Sequence, residues 1–343
     1  MPRSVLITGG SGYFGTILAE QALLRGDAVR ILDLNAPAPL LARADFVAGD
    51  VRDPETVRAA CDGVDVVFHN VAQVPLAKDR ALFDEVNVGG TANVLVAARD
   101  ARVAKVVHTS SSAVYGIPPH NPVTDRTPFR PLEAYGRAKL RAELACRDAI
   151  AAGLDVTIVR PRTVLGLGRL GVMALLFDFV ADGAPVFVLG GGHNRYQLVH
   201  AADLADACLR AAERAGPSAY NVGARTFGTM RETLQALVDH AQTGSRLRSV
   251  PVAPARLAMR ALAALGLAPF APYHWLLYSE SLYFDITPTQ TELGWEPQHS
   301  NASMVIESYE WFLAHRSDSD DAARSHHQSP VQPGLVRMLK ALP

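Results

Sequence analysis

The chain has 343 residues, 49% hydrophobic and 20% charged, enough to bury one large core and a second, smaller lobe. Its 33 Lys and Arg against 34 Asp and Glu give a formal net charge of -1 with no basic stripe, which excludes nucleic acid as a partner. The opening MPRSVLITGG is too short for a signal-peptide core and no stretch approaches a membrane span; Cys61, Cys146 and Cys208 lie far apart without pairing or metal-ligand spacing, so a reducing, cytoplasmic location with no metal is expected.

Short β-branched runs alternate with helical stretches. SVLITGG reads as a strand, 12–24 as a helix, AVRILDL and DFVAGD as strands, 54–61 as a helix and VDVVFHN as a strand. The rhythm continues with a helix over 87–100, the strand KVVHTSS, a long helix over 133–152 and the strand in DVTIVRP. Strand, crossover helix and parallel strand, repeated, predict an α/β fold with a Rossmann-type doubly wound parallel sheet. Beyond Pro161 the character changes to loop and apolar helix, before YQLVH, AADLADACLRAAE and SAYNVG return to the earlier style. Residues 1–165, with 196–222 returning to them, are therefore expected to form the dinucleotide-binding domain. Residues 166–195 and 223–316, including a helix over 229–240 and an apolar stretch over 255–267, form a smaller interleaved substrate lobe. From Ser317 the polar SDSDDAARSHHQSP buries too little surface to offset ordering entropy, so 317–343 reads as a flexible tail.

The segment VLITGGSGYFG places Gly9, Gly12 and Gly15 directly after a strand and into a helix start, with Tyr13 and Phe14 in the same corner. Glycines there permit a tight turn, a close approach of backbone to pyrophosphate and close strand–helix packing, while the helix N-terminus offers amides and partial positive charge. Asp33, at the end of ILDLN about twenty residues downstream, suits the adenosine ribose hydroxyls and repels a 2′-phosphate, which favours NAD over NADP. Asp50 and Val51, in AGDVRD after the third strand, fit the adenine edge.

Tyr135 and Lys139 stand at i and i+4 in AYGRAKL and share a helix face. A cation beside a phenol favours its ionised form, so Tyr135 is able to exchange a proton with a substrate hydroxyl near neutral pH. A serine of HTSSSAVYG, at the end of the neighbouring strand, is placed to hold the oxygen that alternates between carbinol and carbonyl. Taken alone, that i,i+4 spacing more often marks a half-buried ring beside a solvated ammonium. Here TGGSGYFG, LDLN, AGDVRD, FHNVA, NVGGTANVL, HTSSSAVYG, AYGRAK, VRPRTVLG and LVHAADLADA follow in order, and the whole resembles the extended short-chain dehydrogenase/reductase superfamily, in its NAD-dependent epimerase/dehydratase branch. The resemblance implies that Tyr135 transfers the proton, that Lys139 assists it and reaches the nicotinamide ribose, and that Ser111, with Ser112 beside it, is the hydroxyl position. It also implies that Asn87 braces the helix after the fourth strand, and that Pro161, Arg162 and Thr163 lie at the loop meeting the nicotinamide end.

Dehydratases of this superfamily carry Thr-Asp-Glu where this chain has Ser111-Ser112-Ala113, and alanine offers no general acid, so dehydration is disfavoured. Carbinol oxidation remains, used once by a dehydrogenase or reductase, or twice by an epimerase. Overall similarity, including ELGWEP near the end, favours a nucleotide-sugar epimerase acting as a homodimer, with Arg195 near where those enzymes place a diphosphate-binding arginine. The absence of any arginine between Arg260 and Arg316 keeps open a less polar substrate, as in hydroxysteroid dehydrogenases, and a non-catalytic NAD-binding sensor is a third class. His200 and Asp203 are expected to fix a strand–helix junction.

Overall fold

The computed structural model describes residues 2–73, 81–168, 173–265 and 278–316; the expected tail and the end of the 255–267 stretch lie outside them. The strands are β1 (Ser4–Thr8), β2 (Ala28–Asp33), β3 (Asp45–Ala48), β4 (Val66–His69), β5 (Lys105–Thr109), β6 (Val156–Pro161), β7 (Thr163–Leu165), β8 (Val186–Leu189), β9 (Leu198–His200), β10 (Ser218–Val222) and β11 (Leu247–Val250). Seven of them form one parallel sheet in the order β3-β2-β1-β4-β5-β6-β10. The order reverses beside β1, so the carboxyl ends of β1 and β4 open a crevice there, the usual ligand position in such sheets.

Near-continuous apolar strands are what a sheet covered on both faces requires. Neighbouring residues go to opposite sides: Ile7, Val107 and Val159 pack with Leu18 of helix α1 (Tyr13–Leu24), while Leu6, Val106 and Ile158 pack with Val57 of α2 (Pro54–Cys61). The second face is completed by Val94 and Leu95 of α4 (Thr91–Asp100), which follows the short α3 (Ala81–Asp84), and by Cys146 of α5 (Ala134–Ala151). After α6 (Met173–Ala181), helix α7 (Ala201–Ala211) joins α1 on the first face. A third core, with Leu165, Phe177, Val188, Tyr196, Leu237 and Met304, unites α6, α8 (Met230–Ala241) and the last described helix. Between α8 and that end come α9 (Val252–Ala264), α10 (Thr287–Leu293) and α11 (Asn301–Ala314). No described helix is long and apolar enough to cross a membrane, and all three cysteines are free and buried.

Two elements differ from the sequence reading. The helix expected over 87–100 begins as a π-helical turn, Glu85–Gly90, because buried Asn87 turns inward to hold Gln73 and Gly90 lies against Val51, where a Cβ would come within 2.7 Å of Val51 Cγ2. The strand in YQLVH pairs with β7 in a separate two-stranded sheet and does not return to the main one. The N–H of Leu198 is bonded to Asn301 Oδ1 and Tyr196 belongs to the third core, so this strand is fastened to that core. A second parallel pair, β8 with β11, joins four-residue strands that carry no local signal for one another.

Candidate active site

The glycine corner is built by steric necessity. Gly9 has φ +72°, the left-handed region that favours glycine, and a Cβ on Gly15 would lie 1.9 Å from Gly9 O. Gly12 is the N-cap of α1 and supplies no side-chain cap, and the first turn holds no acid, so its amides face the crevice without an internal carboxylate. Asp33 leaves the end of β2 toward this corner, its Oδ2 accepting from Ser11 N at 3.1 Å and its Oδ1 from Asn35 N at 3.0 Å. Phe14 packs against the core, and the Tyr13 ring lies over Gly166, whose Cβ would meet Tyr13 Oη at 2.6 Å.

Beside it, Thr8 Oγ1, His69 and Thr91 Oγ1 form a buried chain with 2.8 and 2.9 Å links, and Thr91 donates on to Asn87 O. Asn87 accepts from Gln73 N at 2.7 Å and donates to Gln73 O at 3.2 Å, fixing the main chain that leaves β4. Asp50 is held below the usual carboxylate range, chiefly by its hydrogen bonds from the Arg52 guanidinium, while buried Val51 gives its carbonyl to Asn93 Nδ2.

At the end of β5 the three serines are sorted by their partners. Ser110 Oγ donates to buried Glu143 at 2.5 Å, and Ser112 Oγ accepts from Arg162 Nη1 at 2.9 Å. Ser111 is half-buried and its oxygen caps Ala113 N at 3.2 Å, which leaves its hydroxyl hydrogen without a partner among the described residues. Across from it, Glu133 caps α5, accepting from Tyr135 N and Gly136 N, both at 2.7 Å. Gly136 lies against the serine turn, where a Cβ would come 2.7 Å from Ala113 O. The half-buried Tyr135 ring meets Phe83 edge-on at 6.3 Å. One turn later Lys139 is 3% exposed, and Nζ donates to Thr109 O at 2.8 Å. Burial pulls its ammonium down to about 8.

Arg162 is buried, with Nε on Gln197 O, Nη1 on Ser112 and its guanidinium 4.9 Å from the Tyr196 ring centroid. Arg162 thereby ties the serine turn at Ser112 to the chain entering β9. Pro161 is buried at the end of β6, and Thr163 Oγ1 shares a 2.9 Å hydrogen bond with Tyr196 Oη. Arg195 precedes β9, its guanidinium 4.8 Å from the centroid of Phe227 and 4.3 Å from that of Tyr283. His200 caps α7 through Ala202 N, and Asp203 receives Gln298 N and His299 N, which fastens the segment before α11. His200, His299 and Glu307 bring potential ligand atoms within 4.8 Å of one another. The two rings are stacked at 3.7 Å and 20°, so one ion does not lie in both ring planes, and no metal role is assigned.

Glu133, Glu143, Arg160 and His69 were not singled out from sequence. Only Glu143 carried a signal, its i+4 spacing from Lys139; glutamate is not a favoured N-cap, and Arg160 and His69 sit inside apolar strand patterns.

The NAD dependent epimerase/dehydratase family model matches residues 5–223. The chain belongs to this family. An uncharacterized protein of Sinorhizobium fredii is 50% identical over 98% of this chain and 85% of its own length. The 3 beta-hydroxysteroid dehydrogenase/Delta 5-->4-isomerase of Mycobacterium tuberculosis is 30% identical over 94% of this chain and 93% of its own. The UDP-glucose-4-epimerase of Stenotrophomonas maltophila, solved with NAD and formylated UDP-arabinopyranose, superposes with a TM-score of 0.74 at 23% identity, over 92% of this chain and 99% of that one, and so shares its fold. NAD is the cofactor. The residues present fit it: the glycine corner has room only for backbone, α1 presents unsequestered amides, and Asp33 stands where a ribose would need an acceptor. Bound NAD supplies a two-electron acceptor for a carbinol carbon.

Proposed function

We propose that the chain interconverts carbinol and carbonyl on a nucleotide sugar as an epimerase-type enzyme. Tyr135 is the proton-transfer residue, Lys139 its cationic partner and Ser111 the hydroxyl that orients the reacting oxygen. The observation that carries this reading is the sorting of donors at the end of β5. Ser110 and Ser112 are committed to Glu143 and Arg162, while Ser111 keeps a donor and Lys139 is buried one helical turn behind Tyr135. An ammonium has three donors, and Thr109 O takes one, so the others are directed at a phenol and a ribose. The site has no acid at Ala113 for eliminating water. Arg195, resting against the adjoining rings of Phe227 and Tyr283, is pre-set to meet a diphosphate, and 166–195 with 223–316 act as the substrate lobe. Exposed Val96 on α4 and Leu144 on α5 suit a homodimer, and the three free cysteines suit a reducing cytoplasm.

The test is incubation of NAD-loaded protein with a panel of UDP- and dTDP-sugars, followed by chromatographic separation of epimers. Epimer formation without net NADH accumulation, lost in Tyr135→Phe, is the expected result; no turnover of any sugar sinks it. A second reading, oxidation of a less polar alcohol, is favoured by one observation. Arg256 on α9 is engaged by Glu280 and Ser279, beside exposed Leu257. Steady NADH accumulation with sterols or other apolar alcohols selects that reading, and NAD binding with no turnover of either class selects a sensor.

A further inference from the structure

Lys139 has an ion-pair candidate that it does not use. Glu143 follows it by one turn of α5, fully buried, in the spacing that ordinarily brings opposite charges together. Its carboxylate is instead filled from the other side: Arg160 of β6 donates through Nε to Oε1 at 2.9 Å and through Nη2 to Oε2 at 2.7 Å, and Ser110 Oγ donates to Oε1. Arg160 is itself fixed, with Nη1 on Tyr115 Oη at 3.3 Å, Tyr115 on Asn221 Oδ1, and its guanidinium 5.0 Å from the Phe129 ring centroid. A bidentate pair of this kind is rigid and electrically closed.

The other groups facing Lys139 carry no compensating charge. His69 of β4 and His108 of β5 lie on the same side of the sheet, their ring centroids 5.4 Å apart, and burial keeps both neutral, His69 down to about 3. Neither nitrogen of His108 has a hydrogen-bond partner among the described residues, and as a neutral imidazole it offers the ammonium no counter-charge. Cys146 on α5 is a buried thiol pushed up to about 12, hence uncharged, and Tyr135 on α5 is the group the lysine serves. From the α3 side the nearest charge, Asp84, is exposed and paired with Arg141.

We propose that Arg160 is the tuning residue of this site: by occupying both oxygens of Glu143 it denies Lys139 a paired counter-ion, so that the remaining donors of the ammonium stay free for the reaction. The low value of about 8 for Lys139 is consistent with this: burial is its main cause, and it outweighs the opposing influence of Cys146 and then of Glu143. The proposal rests on the reading of Lys139 as the partner of Tyr135, but its test does not use turnover.

The chain has 4 lysines, Lys78, Lys105, Lys139 and Lys340, so full-length protein labelled at lysine Cε gives few resonances, and Lys139→Arg assigns the one of interest. Its midpoint is followed against pH by NMR. Arg160→Met, which exposes the ammonium to an uncompensated carboxylate, raises the midpoint by about one pH unit or more. Glu143→Gln, which leaves an uncompensated guanidinium, lowers it by a similar amount, and the double variant returns to within about half a unit of the parent. A merely structural pair would weaken folding and leave the midpoint in place. The proposal is overturned if neither single variant moves it, or if both move it the same way. Should Arg160→Met not fold, Glu143→Gln decides alone, and an unchanged or raised midpoint overturns it. A protein that turns over no substrate yet shows these opposite shifts would refute the enzymatic reading and keep the electrostatic one.

Discussion

Two buried lysines flank β5, and their difference separates architecture from chemistry. Lys105 begins the strand, at the amino edge of the sheet, where Nζ donates to Asp155 at 2.7 Å and to the carbonyls of Arg214 and Gly216 at 2.9 Å each. Its three donors are saturated, and they tie β5 to the loops that start β6 and β10. Lys139 reaches the carboxyl edge of the same strand, equally buried, with Thr109 O as its acceptor. A saturated ammonium holds a fold together; one left with spare donors at the ligand edge of a parallel sheet is held for a ligand.

The comparison breaks first on chemistry. Tyr135→Phe removes the proton-transfer group that Lys139 serves while keeping the ring against Phe83, so turnover is expected to fall by about 10³-fold with NAD affinity nearly unchanged, measured by initial rates and by calorimetry. Retained turnover would mean that Lys139 serves no phenol. Next, Lys105→Met leaves two carbonyls and a part-buried carboxylate without their donor. Denaturant unfolding should report a loss of about 2–4 kcal/mol, and no loss would dissolve the distinction.

Lys139→Met should act in the opposite direction. Its folded value, about 8, lies below the ordinary lysine value of 10.5, so the folded state resists the charge. That cost is fully present below pH 8 and fades as pH rises toward 10.5, because there the unfolded chain holds the proton that the folded chain has released. The variant should therefore be more stable than the parent by about 1–3 kcal/mol at pH 7, with the gap closing above pH 8, while losing turnover. A gap that widens with pH contradicts the assigned direction. The smallest effect concerns the start of the helix carrying Tyr135 and Lys139. Glu133→Ala removes the acceptor for two amides and should cost about 1 kcal/mol in thermal unfolding, and more in turnover than in stability if the cap sets the angle of Tyr135.

Much of this was legible beforehand because it is local. The helix expected over 54–61 is α2 to the residue, since Asp53 caps it and Pro54 occupies its first position. Gly9, Gly12 and Gly15 announce a corner because backbone space there depends on three nearby residues, and Tyr135 with Lys139 share a face by helical period alone. The π-helical turn was not legible: it arises because Asn87 reaches back to Gln73 and Gly90 meets Val51, contacts absent from any window of sequence. Nor was the pairing of β9 with β7, since the run LVH is equally apolar in either sheet.

Sequence by itself determined the doubly wound sheet, the glycine corner and the helix face that Tyr135 and Lys139 share, because turn sterics and the periods of helix and strand are properties of neighbouring residues. Tertiary structure alone decided which of three adjacent serines keeps its hydrogen, why Arg162 holds Ser112, and which charge Glu143 answers. Those outcomes depend on which partners a closed, low-dielectric interior brings to each group, and the partners come from strands and helices far apart in the chain.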